Sequence, residues 1–115
     1  MRRAVIRVCA VGEIPEGEAV RVESGPDGVP VAVFNVGGSY YAIDDTCSHQ
    51  DASLAEGYVE EEDCAVECPL HATCFDLRTG QPGGPPARVP VRTHTVVIEN
   101  GDVHVALSQA TAQVA

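Results

Sequence analysis

The sequence predicts an all-β fold of short antiparallel strands, on three observations. Valine is abundant, helix-forming residues fall into no long 3.6-residue periodicity, and the apolar runs are brief and punctuated by Gly and Pro. At 115 residues the chain fits one domain, 1–115, able to bury roughly two thirds of its unfolded surface.

The elements follow in order. "AVIRVCAV" alternates loosely as a first strand, "GEIPEG" turns the chain, and "AVRVE" reads as the second strand before the turn "SGPDG". "VPVAVFNV" and "SYYAIDD" flank Gly37 and Gly38, a two-residue hairpin signal. The first third is therefore expected to be an antiparallel meander. From Cys47 to Leu77 regular patterning weakens, leaving two loops around "YVEEEDCAVEC", a hairpin with Tyr58 and Val59 on one arm and Ala65 and Val66 on the other. "RTGQPGGPPARVP" is too rich in Gly and Pro for a helix or central strand and reads as a restricted loop. In "HTVVIENGDVHVAL" the pair Asn100-Gly101 signals another hairpin, with Val103, Val105 and Leu107 on one face and His104 on the other. "SQATAQVA" is expected to fray. No internal repeat, linker or second domain is evident.

Seventeen acidic residues face seven arginines and no lysine, a formal net charge of −10. Such a surface repels phosphate backbones and anionic lipid, so nucleic acid and membrane are excluded as expected partners and a basic docking face is favoured. The run Glu60, Glu61, Glu62 and Asp63 suits such docking, and equally suits a solvated surface. No apolar run is long enough for a signal peptide or a membrane span. Five cysteines cannot all pair within the chain, so a reducing cytoplasm with thiols or metal ligands is the expected setting.

Four of those cysteines and two of the four histidines lie in one stretch, Cys47 to Asp76. Cys47-Ser-His49 is followed, after eighteen residues, by Cys68-Pro-Leu-His71. Two thiolates and two neutral imidazoles complete a tetrahedral site, and zinc would accept them. Structural zinc sites, however, space the first pair by two to four residues, and Cys-x-His is tighter. A two-iron cluster removes the difficulty if each loop gives its cysteine to one iron and its histidine to the other. Cys9, Cys64 and Cys74 lack this paired spacing and read as buried thiols or strand residues.

"CSH" followed by "CPLH", with the Pro-rich loop and the ending "ARVPVRTHTVVIENGDVHV", resembles the Rieske iron–sulfur family. More closely it is similar to the small ferredoxin components of bacterial multicomponent aromatic-ring-hydroxylating dioxygenases. The resemblance implies a Rieske-type fold, an antiparallel β-sandwich with a cluster-binding subdomain at about 45–86, and one [2Fe–2S] cluster. It implies that Cys47 and Cys68 hold the inner iron and His49 and His71 the outer one. It implies too that Pro82, Gly83, Gly84, Pro85 and Pro86 cover the cluster. Gln50 and Ala72 depart from the family, where glycine often follows each ligand histidine.

High-potential members of the family carry an extra disulfide whose positions match Ala52 and Leu70 here, so that bridge is expected to be absent. Their serine and tyrosine donors to sulfur match Thr73 and Phe75, and Phe75 has no hydroxyl to give. Fewer donors to sulfur make reduction harder, placing the potential near the low end of the Rieske range, about −150 mV. By the same resemblance the chain is an electron carrier without catalysis of its own. Its donor would be a flavin-containing NAD(P)H-dependent reductase, and its acceptor a terminal Rieske non-haem iron oxygenase. The alternatives are the small Rieske-like subunit of an assimilatory nitrite reductase and a zinc-stabilised interaction domain.

Overall fold

The structure is a computed structural model that describes residues 5–23, 25, 28–47, 52–70, 73–84 and 89–108. Among the described residues nine strands follow in chain order: β1 (Val5–Ala10), β2 (Glu18–Val22), β3 (Val31–Val36), β4 (Ser39–Asp44), β5 (Tyr58–Glu60), β6 (Ala65–Glu67), β7 (Cys74–Asp76), β8 (Thr93–Glu99) and β9 (Asp102–Ala106). A 3-10 turn, Leu54–Glu56, interrupts them, and no α-helix occurs among the described residues.

Two hairpins form where the sequence places them, and for the expected reason. Gly37 and Gly38 take φ of 60° and 94°, and Asn100 and Gly101 take 54° and 79°. Positive φ at both central residues is what a two-residue type I′ turn requires, and it matches the right-handed twist of the flanking strands. The first turn is also held by Asn35, a buried residue whose side-chain carbonyl accepts the Gly38 amide at 2.9 Å.

Six strands form an antiparallel sheet in the order β1-β9-β8-β4-β3-β2, and β5-β6-β7 form a second sheet. The expected meander holds only for β2, β3 and β4. β1 pairs with β9 at the opposite edge, because the long "GEIPEG" turn leads across to a new sheet edge instead of reversing on itself. The large sheet is held at its middle by two cross-strand pairs, Ala42↔His94 and Ile43↔Thr93. It folds over at this narrow seam so that β1-β9-β8 faces β4-β3-β2 as a sandwich.

β3 explains how one short sequence serves two cores. Val31 and Val33 point into a cluster with Cys9, Ile14, Ala42, Val103, Val105 and Leu107, which fills the sandwich. Ala32 and Phe34 point the other way, into a cluster with Ile43, Cys47, Leu54, Cys64, Val66, Cys68, Phe75, Leu77 and Val91. Successive side chains of a strand alternate in direction, so a continuous apolar run is a strand buried on both faces. The second cluster joins the sandwich to the three-stranded sheet.

The tail expected to fray is pinned at its first residue: the Ser108 amide donates to His94 Nδ1 at 2.9 Å and its hydroxyl to the Thr93 carbonyl. The rest of that segment lies outside the described residues.

Gly80 fastens the start of the Pro-rich loop. Its amide donates to the Asp76 carbonyl at 2.7 Å, its carbonyl accepts the Val91 amide at 2.9 Å, and its φ is 79°. A Cβ there would lie 2.0 Å from the Val91 oxygen. Gly80→Ala is therefore expected to destabilise the fold by more than about 1 kcal/mol, read as a lower urea midpoint at unchanged slope.

Candidate metal centre

The two cysteine loops are built alike. The Cys47 amide donates to the Ala52 carbonyl at 3.0 Å, and the Cys68 amide donates to the Thr73 carbonyl at 2.9 Å. Each loop is thus closed from its cysteine to the residue five further on. Flanking pairs brace both: Thr46 bridges Ser53 below the first, and Glu67 pairs with Cys74 below the second. The cysteines sit at the roots of their loops and are 4% and 1% exposed, within the same apolar cluster. At the outer end of the second loop Pro69 and Leu70 are exposed.

This geometry brings Cys47 and Cys68 into one core. His49 and His71, with Gln50, Ala72, Pro85 and Pro86, lie outside the described residues. All five cysteines are described and all are thiols, so no disulfide braces the loops, and the matching positions are the half-buried Ala52 and the exposed Leu70. Cys9 and Cys64 are buried and Cys74 is half-buried on β7, in keeping with a reading as packing residues.

The Pro-rich segment is zipped onto β7 by its backbone. The Asp76 amide donates to the Gln81 carbonyl at 2.9 Å, the Gly83 amide to the Cys74 carbonyl at 2.7 Å, and Phe75 bridges Pro82. Thr73 is 2% exposed, and its hydroxyl reaches the Gly84 carbonyl at 3.4 Å. Phe75 is fully buried against Val66. Pro82, Gly83 and Gly84 therefore lie directly beside the second loop.

Sequence reading missed three features here. β7 is only three residues long and offers no alternation to detect. Glu60, Glu67 and Cys74 come from three adjacent strands, and their donor atoms all lie within 4.8 Å of one another. Burial pushes the Cys74 thiol up, and Glu67, Glu60 and Asp63 push it further, so this group disfavours a thiolate. The third feature is the pair Asp44 and Asp45, which ends β4 and leads into the first loop. Both are buried.

Asp44 is bound from two sides. Arg92 Nε donates to its Oδ2 at 2.8 Å, and His94 Nε2 lies 2.9 Å from its Oδ1. Because His94 Nδ1 accepts from the Ser108 amide, a neutral ring carries its proton on Nε2 and donates it to the carboxylate. Burial pushes the Asp44 carboxyl up, but the hydrogen bonds from His94 and Arg92 outweigh it and hold the group below its ordinary range. His94 thus has a structural task at the seam between β4 and β8.

Two closed loops rooted in buried cysteines are thus carried on an antiparallel sandwich, an arrangement able to anchor a metal centre. The family model for the Rieske [2Fe-2S] domain matches residues 4–95, and the chain belongs to that family, whose cofactor is one [2Fe–2S] cluster. The residues fit it: two buried cysteines in one apolar cluster could supply the two sulfurs that one iron of such a cluster takes. The chain is 49% identical over 105 residues to the 3-phenylpropionate/cinnamic acid dioxygenase ferredoxin subunit of Escherichia coli, covering 91% of this chain and 95% of that one. In structure it is similar to the ferredoxin of carbazole 1,9a-dioxygenase from Nocardioides aromaticivorans, at a TM-score of 0.84 and 36% identity, covering 91% of this chain and 99% of that one. A complex of reduced oxygenase and oxidised ferredoxin in carbazole 1,9a-dioxygenase matches at 0.84 and 35%, covering 96% and 99%. A nitrite reductase small subunit from Mycobacterium tuberculosis matches at 0.81 and 25%, covering 94% and 98%.

The Asp44 network makes stability depend on acidity. Its folded-state carboxyl lies below its unfolded value near 4, so its contribution is complete above that value and drains away as pH falls toward the folded one. Asp44→Asn is expected to cost about 1–3 kcal/mol near pH 7, with the deficit shrinking only as pH falls below about 4 in a thermal unfolding series.

Proposed function

We propose that this chain is the one-electron carrier of an aromatic-ring dioxygenase system, acting in the cytoplasm between a flavin-containing NAD(P)H-dependent reductase and a terminal Rieske non-haem iron oxygenase. The observation that carries the reading is the pair of identically closed loops rooted in Cys47 and Cys68, in a chain that spans 95% of a dioxygenase ferredoxin subunit. The complex of a similar ferredoxin with its oxygenase supports the acceptor; the reductase is the corresponding source of electrons. The likeness to a nitrite reductase small subunit is lower in identity, at 25% against 49%, and favours the dioxygenase reading over that alternative.

In this reading Cys47 and Cys68 hold the inner iron and His49 and His71 the outer iron, within a cluster-binding subdomain at about 45–86 of a single domain, 1–115. When bound, the cluster takes up and gives back one electron. The protein's part is to hold the cysteine side in a dry core and to offer the other side to partners. Exposed Pro69 and Leu70, immediately before His71, mark that outward end. Pro82, Gly83, Gly84, Pro85 and Pro86 cover one flank and limit water there. Thr73 and Phe75 adjoin the second loop, where Phe75 supplies bulk without a donor. The chain performs no catalysis of its own: it commits its convergent ligands to the cluster and leaves oxygen chemistry to its acceptor. No helix among the described residues is long and apolar enough to cross a membrane.

Anaerobic purification should yield about two irons and two acid-labile sulfides per chain. With NADH, a flavin reductase and a ring-hydroxylating oxygenase, product formation should require this chain. Stoichiometric zinc without sulfide would overturn the reading. His71→Ala should abolish the Rieske-type electron paramagnetic resonance signal of the reduced protein, whereas His104→Ala, on β9, should retain it. Phe75→Tyr should raise the midpoint potential by tens of millivolts, since one hydrogen bond to a cysteine sulfur is worth about 1–3 kcal/mol at most. Protein-film voltammetry measures that shift, and an unchanged potential in a fully loaded variant refutes the sulfur contact.

A further inference from the structure

A buried carboxylate with no part in the ligand set leads into the first cysteine loop. Asp45 is 1% exposed. Its Oδ1 accepts from the Ser53 hydroxyl and from the Ala55 amide, both at 2.9 Å. Its backbone grips as well: the amide donates to the Pro30 carbonyl and the carbonyl accepts the Leu54 amide, each at 2.7 Å. Asp45 thus ties the return limb of the loop at 53–55 to the strand that leads into Cys47.

The other carboxylate oxygen faces a cation. Arg21 Nη1 lies 3.6 Å from Asp45 Oδ2, while the same guanidinium's Nε lies 2.8 Å from Oε2 of Glu23, an exposed side chain. Arg21 itself is 45% exposed. β2 therefore sends one half-exposed cation onto an acid at the base of the loop.

We infer that Asp45 and Arg21 are a positioning pair for Cys47, fixing the loop that carries it and setting, by their opposite charges, the potential of the metal centre. The inference rests on the reading of Cys47 as an iron ligand. Only Thr46 separates Asp45 from Cys47, so their Cα atoms are at most about 7 Å apart. The Asp45 carboxylate is out of contact with water, where salt screens its field little, whereas the half-exposed Arg21 guanidinium is screened more. Reduction adds one negative charge to the centre. A buried carboxylate opposes that addition, and the guanidinium beside it favours it. A purely structural loop clasp would move stability alone, with no reason for the two residues to shift the potential in opposite directions.

Three variants of the cluster-loaded chain test this: Asp45→Asn, Arg21→Gln and Glu23→Gln. Asn keeps an acceptor for Ser53 and Ala55 and removes the charge. Film voltammetry, with iron, sulfide and electron paramagnetic resonance measured on the same samples, reads the result. Asp45→Asn is expected to raise the one-electron reduction constant about tenfold, or 59 mV, and Arg21→Gln to lower it several-fold. Glu23→Gln should move it less than either. The inference is overturned if either of the first two leaves the potential unmoved or shifts it the other way, or if Glu23→Gln matches Asp45→Asn. Should Asp45→Asn fail to retain iron, Arg21→Gln decides alone, because its half-exposed side chain can be removed without opening the core. Wild-type protein lacking iron and sulfide would sink the ligand reading itself, whereas a normal wild type with unmoved variants sinks only the pair.

Discussion

The structure turns on one backbone contact made twice: a cysteine amide reaching across its own loop to the carbonyl five residues on, at Cys47 and again at Cys68. Each contact fixes a thiol at the base of a loop and points that base into the core. Everything around them serves to hold the two bases in register. β4 delivers the first through Asp44 and Asp45, the β6–β7 pairing delivers the second, and the cluster around Phe34, Leu54, Phe75 and Leu77 packs between. Because backbone groups make the closure, the side chains within the loops are left for other work.

β3 is the complementary constraint. A single strand buried on both faces lets a small protein maintain two apolar clusters without a helix, but it commits four successive side chains, Val31 to Phe34, to full burial. Large-to-small changes there would open space in whichever cluster loses volume, a cost that grows with the cavity left behind. The seam between β4 and β8 is narrow by comparison. The ion pair and hydrogen bonds around Asp44 hold it where only two cross-strand pairs do.

Much of this was legible in the sequence because it depends on local chemistry. Gly37-Gly38 and Asn100-Gly101 announce their turns through the backbone angles they tolerate, and Val103, Val105 and Leu107 announce a buried face by alternation. The motifs around Cys47 and Cys68 announce membership of a family that carries a two-iron cluster. What stayed hidden depends on long-range partners. The place of β1 beside β9, the three-residue β7, and the tasks of His94, Asp44 and Asp45 are set by residues distant in sequence, and no local pattern encodes them. The loop closures escape for another reason: they use main-chain atoms that every residue type supplies.

The double anchoring of Cys47 and Cys68 has a bearing on how fast such a protein can work. An electron moves while nuclei are nearly still, so a centre whose surroundings must rearrange with each change of charge is slow at any driving force. Dipoles already aimed and backbones already closed require little rearrangement at that moment. Two loops cinched at their roots by main-chain bonds and set in a packed apolar bed make a low-reorganisation site, suited to passing charge during a brief encounter.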